Sequence, residues 1–230
     1  MIIEKPELTE DDIQHNYDEF IKLIEKSFVG DRKEKLLFMY SNDELGVELA
    51  TAPASMMEHW HLAKVGGYLT HIMNVVKNSF KVKKLWQDVG ANIDFTDEEM
   101  VFAALHHDLG KLGDNTGTYY KPQDQGWLLK KGELYKMNPD IQYMEVTDRA
   151  LYNLQRYGIT YNFKELMSIK LADGLYNESN EKYLKSFRPE LRLKTNLPHI
   201  IHQADFLSCR SEYDQWAFPK KDAKPVVELE

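Results

Sequence analysis

Apolar residues return every three or four positions through most of this chain, a period that favours helices packed on helices. Between residues 8 and 29 the apolar set is Ile13, Tyr17, Phe20, Ile21, Ile24 and Phe28. Thr9 is placed to cap this helix, and Glu10, Asp11 and Asp12 follow against the positive end of its dipole. Gly30 is expected to end it. Residues 33–40 predict a second helix, and Ser41 with Glu44 has capping-box spacing for a short third. Residues 51–67 read as loop, and residues 67–89 as one long helix. Thr96 should cap a helix that runs to about Leu112. Further helices are expected over 147–157, 163–172 and 197–217.

One stretch breaks the pattern. Residues 113–143 hold Gly113, Gly117, Pro122, Gly126, Gly132 and Pro139, with the short runs GWLLKK and GELYKM. A β-hairpin across Lys130 to Glu133 is expected there. The expected architecture is all-α with one small β-hairpin insert. N-terminal helices over 1–50 pack on a core over 51–217, the insert spans about 113–143, and 218–230 form a tail.

With 230 residues the chain can bury a sizeable single core. Its formal net charge of −8 argues against a broad nucleic-acid or anionic-membrane surface. A small anionic substrate stays open, because a bound divalent cation can reverse the local field. The single cysteine, Cys209, excludes an intrachain disulfide, favours a reducing compartment, and is given no part in the chemistry. No secretory signal pattern and no apolar run of about eighteen residues appears, so a cytoplasmic protein is expected.

The chemistry centres on HHDLGK, residues 106–111. A histidine followed by an aspartate offers an imidazole nitrogen and a carboxylate. On a helix the two point about 100° apart and converge only on something lying between them. Mixed nitrogen and oxygen ligation suits Mn, Fe, Co, Ni or Zn better than Ca. Alone, such a pair is an ordinary ion pair. His71, early in the long helix, and Asp205, inside the apolar run LPHIIHQADFLSC, add weight. A carboxylate facing a core is costly unless it is paired or binds metal. Gly66 and Gly67, just before His71, let the backbone pass close to something.

Three segments in order, PASMMEHWHLAKVGGYLTHIMNVV (53–76), ALHHDLGKLG (104–113) and HQADFLS (202–208), resemble the HD-domain superfamily of metal-dependent phosphohydrolases. The stretch from Thr147 to Tyr176 is also similar to HD-domain proteins of large tailed phages. The resemblance implies an HD-domain helical bundle with His71, His107, Asp108 and Asp205 as metal ligands. It implies hydrolysis of a nucleotide or related phosphate ester by attack of metal-activated water on phosphorus. Dinuclear members add histidines after the doublet, and here none occurs from residue 108 to 198. One tightly held transition ion is therefore expected, with at most a weak second such as Mg.

Other candidates carry a double reading. Lys111 could hold a phosphate oxygen or be a solvated lysine at a helix end. His59 and His61 could meet phosphate and leaving group or be loop histidines, while His106 is expected to pack. Arg149 could clamp a phosphate or pair with Asp148 or a nearby carboxylate, with the structural role favoured. Asp173 could hold the metal water or cap the turn at Gly174. His199 and His202 are expected in the core. In the insert, Trp127 and Tyr119 or Tyr120 could stack on a base, and Lys121, Lys130 or Lys131 could meet a polyphosphate. The competing functions are a non-catalytic module binding a nucleotide or partner, and a diiron oxygenase, which the missing histidines disfavour.

Overall fold

The computed structural model describes residues 7–42 and 45–219. It is mostly helical, with one two-stranded antiparallel sheet. The helices are α1 Glu10–Ser27, α2 Gly30–Ser41, α3 Leu45–Thr51, α4 Gly67–Asp88, α5 Asp97–His106, α6 Gly126–Leu129, α7 Val146–Arg156, α8 Phe163–Lys170, α9 Glu181–Leu184 and α10 Leu197–Ala217. The strands are β1 Tyr120–Pro122 and β2 Tyr135–Met137.

Local chemistry sets several of these starts. Thr9 and Thr96 each accept a hydrogen bond from the backbone three residues on, and Asp12 and Glu99 return the bond to the cap. Asn162 and Glu165 do the same for α8. Gly30 opens α2 instead of only ending α1, with φ of +58°. Ser41 is the last residue of α2, and the side chain of Asn42 accepts from the backbone N–H of Leu45 at 3.0 Å. Glu44, the expected partner of Ser41, and the expected tail from residue 220 lie outside the described residues. No described helix is long and apolar enough to cross a membrane.

Side chains from α1, α2 and α3 share one buried cluster with those of α4, α5, α7, α8 and α10, including Phe20, Leu36, Ile72, Phe102, Leu154 and Ile200. The longest seam runs between α4 and α10, while α5 and α10 both lie against α8. The Gly66–Gly67 pair serves the chain's own loop: a Cβ on Gly67 would stand 2.0 Å from the Leu62 carbonyl oxygen. A side chain there would push that loop away from the start of α4.

The expected unbroken helix to Leu112 is two pieces. α5 ends at His106, and a 3-10 turn covers Leu109–Leu112. Imidazoles use carbonyls of the last turn: the Nδ1–H of His106 donates to Phe102 at 2.6 Å, and that of His107 to Ala104 at 2.8 Å. The hairpin also differs from expectation. Lys121 pairs with Lys136 at its centre, and the connection between the strands holds α6. GWLL is thus a helical turn, and Lys130 to Glu133 return the chain toward β2.

Arg32 ties three helices together. Its guanidinium donates to both carboxylate oxygens of Glu165 at 2.8 Å, to Glu98 at 3.1 Å and to the Thr160 carbonyl at 2.8 Å, and it lies 4.4 Å from the Phe102 ring centroid. Glu165 is fully buried. Arg32→Ala would leave that carboxylate without its cation, and a loss of about 3–5 kcal/mol is expected in urea unfolding. Arg32→Lys should recover only part, because an ammonium cannot make the two parallel bonds.

Candidate metal centre

The long seam between α4 and α10 brings His71 opposite Asp205, and the end of α5 brings His107 and Asp108 beside them. His71 Nε2 lies 3.2 Å from Asp205 Oδ1 and 3.7 Å from Asp108 Oδ2. His107 Nε2 lies 3.6 Å from Asp108 Oδ2 and 3.7 Å from Asp205 Oδ1. Four atoms held tetrahedrally at ~2.1 Å from one centre would be about 3.4 Å apart. His71, His107 and Asp205 are thus grouped closely enough for a single first-row divalent ion, and Asp108 Oδ2 stands at similar range from both imidazoles.

Two further observations fit such an ion. The Nδ1–H of His107 donates to a carbonyl, which leaves Nε2 as the ring atom that faces the carboxylates. Both Nε2 atoms are buried without a hydrogen bond. Glu212, two turns beyond Asp205, places Oε2 at 2.9 Å from His71 Nδ1, and its Oε1 accepts from Asn74 at 2.8 Å. A carboxylate behind an imidazole fixes the ring and raises its basicity.

The charges are strongly interdependent. Burial alone would lower the His71 pKa, but Glu212 and Asp205 outweigh it and carry the imidazole up to about 10. Burial would raise Asp205, and close contact with His107 and His71 instead holds it well below the usual carboxylate range. Asp108 is likewise lowered against burial, first by Lys111 and then by the two histidines. Lys111 donates from Nζ to Asp108 Oδ2 at 2.7 Å and to the Ala54 carbonyl at 3.0 Å. It faces the cluster and is not a solvated helix-end lysine.

His61 and His59 part company. The His61 ring lies 4.8 Å from that of His71, and burial, with His71 and Lys111 nearby, holds its pKa at about 3. His59 is exposed and turned toward Trp60, on the outer side of the same loop. Its expected role at phosphate has no geometric support. Asp173 faces the cluster: burial first, then the charge of Asp108, raises its carboxyl. His106 packs between Phe102 and Tyr40, His199 stacks on Trp86, and the Nδ1–H of His202 donates to the Ala172 carbonyl at 2.8 Å.

Arg149 is corrected. It is buried, pairs with Asp114 rather than Asp148, and donates to the Gln142 carbonyl at 2.6 Å. It fastens the base of the insert and has no face for a phosphate; Asp148 takes Lys170 instead, at 3.0 Å. Other bonds fix the insert to the loop that carries His61, namely Glu58 N–H to Gly132 O at 2.7 Å and Leu134 N–H to Met56 O at 2.9 Å. Tyr119 and Tyr120 sit near enough to Lys111 and Asp108 to feel their charges. Trp127 is exposed under the Lys131 ammonium at 4.8 Å, and Lys121 pairs with Asp140.

Sequence reasoning missed Glu212 and Cys209. Both lie on the Asp205 stripe of α10, at i+7 and i+4, and that spacing was the available signal. Cys209 Sγ is 3.4 Å from Asp205 Oδ1 and 3.8 Å from His61 Nε2. Among the described residues, the atoms grouped closely enough to hold an ion are those of His71, His107 and Asp205 and, sharing His71, those of His61, His71 and Cys209; Asp108 is in neither group and carries Lys111 on the oxygen that faces the imidazoles. Compared with protein-family models, curated proteins and solved structures, the chain has no match.

Burial, then the charges of Asp205 and Glu212, pushes the Cys209 thiol far up. Thiolate is the reactive form, so native protein should react with a disulfide reagent at pH 8 about tenfold or more slowly than protein unfolded in urea. Equal rates would place the thiol away from these carboxylates.

Proposed function

We propose that the chain is a metal-dependent phosphohydrolase of the HD-domain kind, with one divalent transition ion held by His71, His107, Asp108 and Asp205. The carrying observation is the set of four separations between 3.2 and 3.7 Å around two buried imidazole nitrogens without hydrogen bonds. Mn, Fe, Co, Ni and Zn all suit two imidazoles and two carboxylates, with no preference resolved by the donors alone. Such an ion, when bound, supplies Lewis-acid polarisation of a phosphoryl oxygen and activation of water.

The chain's own residues supply the rest. Lys111 is a fixed cation touching the cluster, placed to meet a non-bridging phosphate oxygen once Asp108 shares its charge. His61 is neutral at ordinary pH and able to accept a hydrogen bond from the attacking water or the substrate. Asp173 offers a further acceptor or, when protonated, a donor at the rim. Glu212 holds His71 in register. The ammonium against Asp108 also supports one tight ion, since a second would meet that positive charge. Any second ion, such as Mg, would be weak. The net charge of −8 favours small nucleotides or phosphate esters over long nucleic acid.

Stripped protein supplied separately with Mn, Co, Ni, Zn and Mg should release phosphate from nucleotides or cleave cyclic ones. Asp108→Asn should lower turnover about a hundredfold or more while the fold, followed by circular dichroism, persists. Turnover unchanged in Asp108→Asn would overturn the reading. Tight metal with no turnover on any ester would turn it toward a binding module, and two irons with O₂ uptake toward an oxygenase. Cys209→Ala is no neutral control, because the thiol touches Asp205.

Glu212→Gln keeps the size of the side chain but removes its charge. The metal dissociation constant, measured by competition with a chelating dye, should rise about 10–100-fold. An unchanged constant would remove Glu212 from the support of His71.

A further inference from the structure

Two aromatic rings and a guanidinium lie in a row on the solvent side of α10. Tyr176 and Phe206 stack with centroids 6.4 Å apart and planes 23° from parallel. The Arg210 guanidinium carbon is 5.2 Å from the Phe206 centroid. Tyr176 is 73 % exposed and Phe206 42 %. Phe206 directly follows Asp205, and Tyr176 is three residues beyond Asp173. The Ala172–Gly174 turn that carries Asp173 lies against His202, one turn before Phe206, so the row begins one residue from the cluster.

The row is rigid where it counts. Tyr176 ends a 3-10 turn, Gly174–Tyr176. The side-chain amide of Asn180 donates to the Gly174 carbonyl at 3.0 Å, and His202 holds the preceding Ala172 carbonyl at 2.8 Å. Gly174 has φ of +56°, and a Cβ there would stand 2.1 Å from the His202 ring. Only glycine lets this turn lie so close on α10, and the closeness sets Tyr176 over Phe206. A preorganised aromatic face loses little entropy when a flat ligand settles on it.

We propose that Tyr176, Phe206 and Arg210 form the base subsite of the nucleotide whose phosphate lies at the cluster, a role the insert residue Trp127 does not share. This rests on the phosphate-ester reading above. Stacking is driven by π area and tolerates different hydrogen-bond patterns, and an adjacent guanidinium adds a cation–π contact. The face therefore selects purines over pyrimidines, and either over a bare sugar phosphate. Trp127 sits instead on α6, between the two strands of the insert hairpin, with its indole N–H donating to Gln125 Oε1 at 3.0 Å.

The test uses the full chain with Mn and four ligands that are not hydrolysed: the 5′-phosphonate analogues of adenosine, guanosine, cytidine and ribose. Calorimetry should give the purine analogues about tenfold tighter binding than the ribose analogue, with cytidine between. In Tyr176→Leu/Phe206→Leu the purine advantage should fall to about twofold or less, while the ribose analogue binds as before, which also reports an intact fold. Trp127→Leu should keep the advantage. Equal affinity for all four in the wild type overturns the subsite, as does an advantage that survives the double variant or vanishes in Trp127→Leu. Ribose phosphonate bound without any gain from a base removes the subsite alone. Binding of none of the four removes the phosphate-ester reading with it.

Discussion

A carboxylate on an apolar helix has to find compensation, and Asp205 finds it in two imidazoles from other helices. Its neighbours Ile201 and Ala204 are buried, so α10 must press into the core. Pressing it there takes Asp205 out of water at a cost of several kcal/mol unless opposite charge is met. His71 on α4 and His107 at the end of α5 meet it. The placement of three helices is thus tied to one charge. Glu212 on the same helix, against His71, adds a second tie along the α4–α10 seam.

The surrounding structure holds this arrangement from both sides. On one side the insert is fastened to the loop bearing His61 and to the buried guanidinium of Arg149. Lys111 spans between that loop, at the Ala54 carbonyl, and Asp108. On the other side the turn after Asp173 is fixed to α10 through His202. The side chains between them are thus held by partners on both sides, as the proposed chemistry would require.

The helices were legible because their period and their caps agree, as at Thr9 and Thr96. That His71, His107, Asp108 and Asp205 meet was expected from the three resembling segments together with the aspartate inside LPHIIHQADFLSC. The break before Leu109 was not, since it depends on imidazoles taking carbonyls of their own helix. The partner of Arg149 was not legible because Asp114, 35 residues away, is joined to it only by the fold. Glu212 escaped because its meaning depends on α4 lying alongside α10. The hairpin pairing was hidden because strands of three residues carry almost no alternation. The hydrophobic pattern locates elements, whereas the partners of buried charges follow from how those elements meet.

The span of the cluster along the chain has a consequence for synthesis. His71 and Glu212 are 141 residues apart. Closing so long a loop is slow relative to forming local helices, and it needs α10, the last described helix, to have left the ribosome. Until then His71 lacks both Asp205 and Glu212. The α4–α5 seam can therefore form early but must remain loose around unpaired imidazoles, and α10 closes the core and the His–Asp cluster in one step. A chain cut before α10 would lack both together.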